Sequence, residues 1–84
     1  MKKKRELESI GQLLSIMDRL RDDCPWDKKQ TFESLSSLTV EETYELIDAI
    51  SEHDNEEIKN ELGDLLLHII FYSKIASETN LFDI

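Results

Sequence analysis

Carboxylates recur at helical spacing in two places along the chain. In TVEETYELIDAI, residues 39–50, Glu41, Glu42, Glu45 and Asp48 fall along one side of a helix with no lysine or arginine between them. In ELGD, Glu61 and Asp64 stand three apart, on adjacent turns, and project from a common face. Like charges at such spacing destabilise a helix by roughly 0.2–0.5 kcal/mol per pair, so the crowding asks for a compensating cation. An antiparallel hairpin formed through residues 46–60 lets Glu42 and Glu45 face Glu61 and Asp64 as a four-carboxylate nest. Such an all-oxygen set suits Mg²⁺ or Mn²⁺ and offers soft metals little. The competing reading is an acidic face that is simply solvated, because a chain with 19 acidic residues produces pairs at spacing three by composition alone.

Three neighbouring residues bear on that choice. Gly63 costs a helix about 1 kcal/mol relative to alanine, which is sensible where a ligand or another backbone comes close, although tight helix packing explains it equally well. His68 follows Asp64 by four residues and is either a ligand or supporting group, or a hydrogen-bonded histidine in an apolar run. The Glu-x-x-His pairs that a ferritin-like di-iron bundle needs on two helices are absent.

The elements that must position these residues are all helical. Only two glycines and one proline punctuate the chain, and no run of alternating β-branched residues suggests a strand. Residues 5–21 carry Leu7, Ile10, Leu14 and Met17 at three and four residue spacing, widened by Leu13, Ile16 and Leu20. Pro25 in DDCPWD disfavours helix at Cys24, and Asp27 with Gln30 can cap a short helix reaching about Leu35, after which Ser36 and Ser37 allow a turn. Thr39 then starts a helix that buries Val40, Tyr44, Ile47 and Ile50, opposite its acidic side. Asp54 as N-cap, with Glu57 three residues on, launches the longest helix, through about Glu78. Its run LLLHIIFYSKIA is apolar nearly all round and calls for cover on more than one side, more than three helices supply. The expected fold is all-α, an antiparallel hairpin plus an N-terminal helix, completed by oligomerisation into a four-helix-bundle-like core.

Composition narrows the function. Eighty-four residues make one domain whose single core is marginal, so a partner subunit would help. The net charge of −9 argues against sequence-independent binding to a nucleic-acid backbone, and the basic cluster Lys2 to Arg5 reads as a solvated helix start. Cys24, the one cysteine, has no internal disulfide partner and no neighbouring base in sequence, so it reads as a packed thiol. With neither a signal-like segment nor a membrane-length apolar run, a cytoplasmic protein is expected.

Taken in order, CPWDKKQTFESL, EETYELIDAI and ELGDLLLHIIFYSKIA resemble the MazG family of nucleoside triphosphate pyrophosphohydrolases, over about Leu13 to Phe82. The resemblance joins a Glu-Glu-x-x-Glu motif, a Glu-x-x-Asp motif and a Cys-Pro-Trp-Asp loop. It implies a homodimeric or larger all-α enzyme that hydrolyses NTP or dNTP to the monophosphate and pyrophosphate with Mg²⁺. It also implies that Glu42, Glu45, Glu61 and Asp64 hold the metal. Glu41 is assigned to supporting the ligands from behind or to orienting water, Asp48 is a weaker candidate for the same work, and His68 stands where relatives carry other polar residues. With the family in view, Lys28 and Lys29 are candidates for phosphate and Trp26 for the base, against a capped helix start with Trp26 anchored in the core. The chain ends at LFDI, where relatives continue into further helix and basic residues, so a single domain shortened at its C-terminal side is expected. The alternative function is a non-catalytic helical oligomerisation or interaction module that keeps a metal-binding acidic face.

Overall fold

The structure is a computed structural model describing residues 1–84, and it contains four helices and no strand. They are α1 (Lys2–Asp23), α2 (Pro25–Lys29), α3 (Phe32–Ser51) and α4 (Asn55–Glu78). None is long and apolar enough to cross a membrane. The all-α hairpin with an N-terminal helix is as the sequence implies, but two local expectations fail.

The first concerns the start of α3. Thr31, not Thr39, is its N-cap: the Thr31 hydroxyl accepts from the Ser34 backbone N–H at 3.1 Å, and Ser34 Oγ accepts from the Thr31 N–H at 2.8 Å. This reciprocal box satisfies two backbone donors, so the helix runs through Ser36 and Ser37 without a turn. The expected short helix to Leu35 is correspondingly a five-residue α2, opened by Pro25 at its first position, where a missing N–H costs nothing.

The hairpin is closed in three residues. Glu52 ends α3, His53 takes a left-handed φ of 54°, and the His53 and Asp54 N–H groups donate to the carbonyls of Ile50 and Ala49 at 3.1 and 3.0 Å. These are the two bonds of a Schellman stop. Asp54 then caps α4 as expected, its Oδ1 accepting from the Glu57 N–H at 3.2 Å. One residue thus completes one helix and begins the next, which fixes α3 and α4 antiparallel and in register.

The second failure concerns which face of α3 is inside. The core is small: Met17 of α1, Leu35 of α3, and Ile70 and Phe71 of α4, flanked by Leu13, Leu14, Leu38, Leu67, Tyr72 and Ile75. Val40, Tyr44, Ile47 and Ile50 are not buried but 51–67% exposed, because α3 turns its Leu35, Thr39, Glu42 and Ala49 side toward α4. Leu62, Leu66 and Ile69 of α4 are likewise exposed, as are Leu7 and Ile10 of α1, whose first eleven residues are all solvent-facing. Gly63 is also open; a Cβ there would meet nothing within 4 Å, so no packing in this chain requires glycine.

Candidate metal centre

The α3–α4 seam brings Glu42, Glu45 and Glu61 together, one carboxylate oxygen from each lying within 4.8 Å of the others. Register explains the meeting: with the turn fixed at residues 52–54, Glu42 and Glu45 on the inward face of α3 come opposite Glu61, one and a half turns into α4. Glu61 is only 6% exposed, Glu42 is half-buried and Glu45 lies at the rim. No lysine, arginine or histidine pairs with any of the three, and the chain's ion pairs lie elsewhere.

Two oxygens make the arrangement informative. One carboxylate oxygen of Glu42 and one of Glu61 are buried without a hydrogen-bond partner, and a buried unpaired acceptor carries its full desolvation penalty. The strain registers in protonation. The Glu45 carboxyl is held above its ordinary range by sharing a proton with Glu61, then by the Glu61 charge, with burial and the charges of Glu41 and Asp64 adding to it. Glu61 is raised by its hydrogen bond with Glu42, then by burial and by the charges of Glu42 and Asp64, while its contact with Glu45 acts in the opposite sense. Glu45 and Glu61 thus both resist ionisation beside their neighbours, the situation a divalent cation relieves.

Asp64 is exposed and outside the three-residue group, though close enough to raise both Glu45 and Glu61 electrostatically. Glu41 is exposed beside Glu45. Asp48 lies farther along, in a shared acidic cleft of about 260 Å³ between the helices, with Glu45, Glu52, Asp54, Glu57 and Glu61.

The residues of the Cys-Pro-Trp-Asp loop are not brought to the carboxylates. Trp26 is 53% exposed and sets its ring edge-on to Phe71, centroids 6.3 Å apart at 79°, so it is partly anchored without being a core residue. Phe71 is ten residues beyond Glu61, about 15 Å along the α4 axis. Lys28 and Lys29 are exposed on α2 and pair with no acid. Cys24 is a half-buried free thiol.

Sequence reasoning gave no role to the residue that holds this loop. Arg21 of α1 donates through Nε to Glu78 Oε2 at 2.9 Å and through Nη2 to Oε1, while Nη1 faces the carbonyls of Asp27, Lys28 and Gln30 at 2.6, 3.1 and 3.1 Å. One guanidinium therefore satisfies the orphan carbonyls at the end of α2 and pins α1 to α4. The only advance signal was an arginine in the last turn of a helix just before a proline. His68, ambiguous in sequence, is hydrogen-bonded in the seam, its Nδ1 lying 2.8 Å from Thr39 Oγ1.

Comparison with known proteins follows the same residues. The MazG nucleotide pyrophosphohydrolase domain matches residues 30–84, which include every carboxylate of the seam. A protein of Escherichia coli (strain K12) named nucleoside triphosphate pyrophosphohydrolase is 49% identical over 80 residues, 92% of this chain and 30% of that protein. A Thermotoga maritima protein named nucleoside triphosphate pyrophosphohydrolase/pyrophosphatase MazG is 49% identical over 75 residues, 87% of this chain and 29% of its own length. A Mycobacterium tuberculosis protein with the first of these names is 40% identical over 73 residues, 87% of this chain and 22% of its own. The chain therefore spans less than a third of the length of these curated relatives.

Proposed function

Because the chain belongs to the MazG nucleotide pyrophosphohydrolase family, we propose that it is the metal-binding part of an enzyme that hydrolyses NTP or dNTP to the monophosphate and pyrophosphate. The observation that carries the reading is the pair of buried, unpartnered carboxylate oxygens of Glu42 and Glu61 within a three-carboxylate cluster. Their chemistry fits Mg²⁺, or Mn²⁺ in its place: hard oxygens, no soft ligand, and negative charge that nothing in the chain neutralises. Glu42, Glu45 and Glu61 would hold the ion, with Asp64 joining from the rim. Bound there, a divalent ion supplies charge neutralisation for a polyphosphate and lowers the pKa of a coordinated water.

The chain's own groups account for the remaining requirements. Water attack on the α-phosphorus forms one P–O bond and breaks the bond to the bridging oxygen, so pyrophosphate leaves and one proton must be accepted. Glu41, exposed beside Glu45, is suited to orient the water and take that proton. Lys28 and Lys29 offer ammonium groups to phosphate and Trp26 an open ring to a base. In one chain these stand away from the carboxylates, which is why the domain is proposed to act as a homodimer or larger homo-oligomer. The uncovered stripes Val40, Tyr44, Ile47, Ile50 and Leu62, Leu66, Ile69 support that assembly.

The same separation favours a second reading, a helical interaction module with a cation-binding face and no turnover. Pyrophosphate release from NTPs separates the two. The enzyme reading expects Mg²⁺-dependent release that Glu42→Gln and Asp64→Asn each abolish while helicity is kept. Full activity in both variants would remove these carboxylates from the chemistry, and no release beside a stable oligomer would favour the module.

A further inference from the structure

Farther along the seam, one turn from Glu42 on α3 and two turns from Glu61 on α4, lies a second polar group whose protons can be counted. Thr39 Oγ1 lies 3.1 Å from the Leu35 carbonyl oxygen, 2.8 Å from His68 Nδ1 and 2.6 Å from the Tyr72 hydroxyl. A threonine hydroxyl has one proton and two lone pairs. The Leu35 carbonyl can only accept, so all three contacts are hydrogen bonds in just one arrangement. Thr39 donates to Leu35, and both its lone pairs accept, one from the Tyr72 O–H and one from a His68 Nδ1–H. The Tyr72 ring is itself held, stacked on Phe32 at 5.9 Å and 28°.

A neutral His68 in this arrangement carries its proton on Nδ1 and leaves a lone pair on Nε2. Nε2 has no partner in the chain, and the only buried unpartnered side-chain polar atoms are oxygens of Glu42 and Glu61, so solvent reaches it. Thr39 precedes Glu42 by three residues and His68 follows Glu61 by seven, which sets the group about 4.5 Å along α3 from Glu42 and about 10 Å along α4 from Glu61. His68 does not join the carboxylate cluster and so is not a further ligand of the same ion.

We propose that Thr39 and Tyr72 lock His68 as the Nδ1–H tautomer, and that its Nε2 accepts a hydrogen bond from a sugar hydroxyl of the bound nucleotide. The identity of the occupant rests on the pyrophosphohydrolase reading; the tautomer lock does not. A polyphosphate gathered at the carboxylates leaves the pentose as the next group along, and its hydroxyls are the donors that an acceptor lone pair can read. His68 would thereby distinguish sugars, with Thr39 and Tyr72 as positioning residues.

The lock is read by nitrogen-resolved NMR of the imidazole in the full chain at about pH 8. A protonated Nδ1 and bare Nε2, lost in Thr39→Val, are expected; a protonated Nε2 in the wild-type chain overturns the proposal. Binding of non-hydrolysable triphosphates with Mg²⁺ reads the second half, using ribo, 2′-deoxy and 3′-deoxy analogues. One deoxy analogue should bind about tenfold more weakly and fail to move the Nε2 resonance. His68→Leu should erase that difference and His68→Gln, which keeps an acceptor, should retain it. Equal binding of all three analogues overturns the sugar contact while leaving the enzyme reading intact; no binding of any analogue overturns both.

Discussion

At the scale of single residues, Glu61 concentrates the physics of the site. It is the most buried of the clustered acids, it is unpartnered at one oxygen, and its contact with Glu42 together with burial holds its carboxyl above the ordinary range. Raised carboxyl pKa values mean that the metal-free folded state binds more protons than the unfolded chain, in the window from the unfolded carboxylate value of about 4.3 up to the folded values. Stability must therefore rise as pH falls from 7 through those folded values and decline as pH is raised through them. Below about 4.5 the opposite case takes over: Arg21 holds the Glu78 carboxyl below its ordinary range, so its contribution is lost on further acidification. Thermal melts of the metal-free protein should pass through a maximum on the acid side of neutrality, and saturating Mg²⁺, which requires ionised ligands, should move that maximum toward neutrality. Glu61→Gln should raise the neutral-pH melting temperature without metal and abolish the rise produced by Mg²⁺. A melting temperature that falls steadily from pH 7 to 5 without metal would show that the acids do not repel one another in the folded state. Residue types and spacing made Glu42, Glu45 and Glu61 legible as a cluster because acid pairs at helical spacing stand on both arms of a hairpin, although the apolar stripe of α3 was expected to be its inward face. They could not tell that Asp64 sits at the rim, since a residue three positions on shares a face only to within a fraction of a turn.

At the scale of elements, the capping chemistry decides what the sequence could reveal. The α4 boundaries were legible at both ends because Asp54 and Glu57 form a recognisable start and because LLLHIIFYSKIA has no internal breaker. The α3 start was not, since Thr31 and Thr39 are equally good caps on paper and Ser34 does the work usually assigned to glutamate or glutamine. The five-residue α2 is too short to hold itself together; it persists because Arg21 occupies its C-terminal carbonyls and is anchored in turn by Glu78. Arg21→Ala leaves those carbonyls to water and should destabilise the domain by about 2–3 kcal/mol. Urea unfolding measures this directly. Glu78→Gln, which keeps a hydrogen-bond acceptor but removes the charge, should cost less than half as much and should leave Trp26 fluorescence unchanged. A loss in Arg21→Ala no larger than in Glu78→Gln would mean that the ion pair alone, and not the end of α2, needs the arginine.

At the scale of the whole molecule, the helices are poorly covered. The radius of gyration is 14.2 Å, where a globular chain of this length has about 12 Å, and the extents of 40 × 37 × 22 Å describe a slab. Amphipathic periodicity showed that α3 has an apolar stripe but not what covers it. Within one chain the small and acidic side packs on α4, and Val40, Tyr44, Ile47 and Ile50 are left outside. Leaving four large side chains and the Leu62, Leu66, Ile69 stripe about half exposed forgoes roughly 1 kcal/mol for each one that a second subunit would bury. A dimer through these stripes would also account for Gly63, whose open Cα lies beside Leu62 and admits close approach of another backbone. Ile47→Glu places a charge in the middle of that surface while touching neither the core nor the carboxylates. Sedimentation should find the wild-type chain at twice its 9.8 kDa mass or more, and Ile47→Glu at the single-chain mass with helical content retained and a concentration-independent melting temperature. Glu33→Lys, an exposed charge change in the first turn of the same helix, should leave the assembly intact. A wild-type chain that sediments as a monomer at high concentration would assign the uncovered stripes to a partner other than a second copy, and the Mg²⁺ response of that monomer would then show whether the carboxylate cluster needs an assembled bundle.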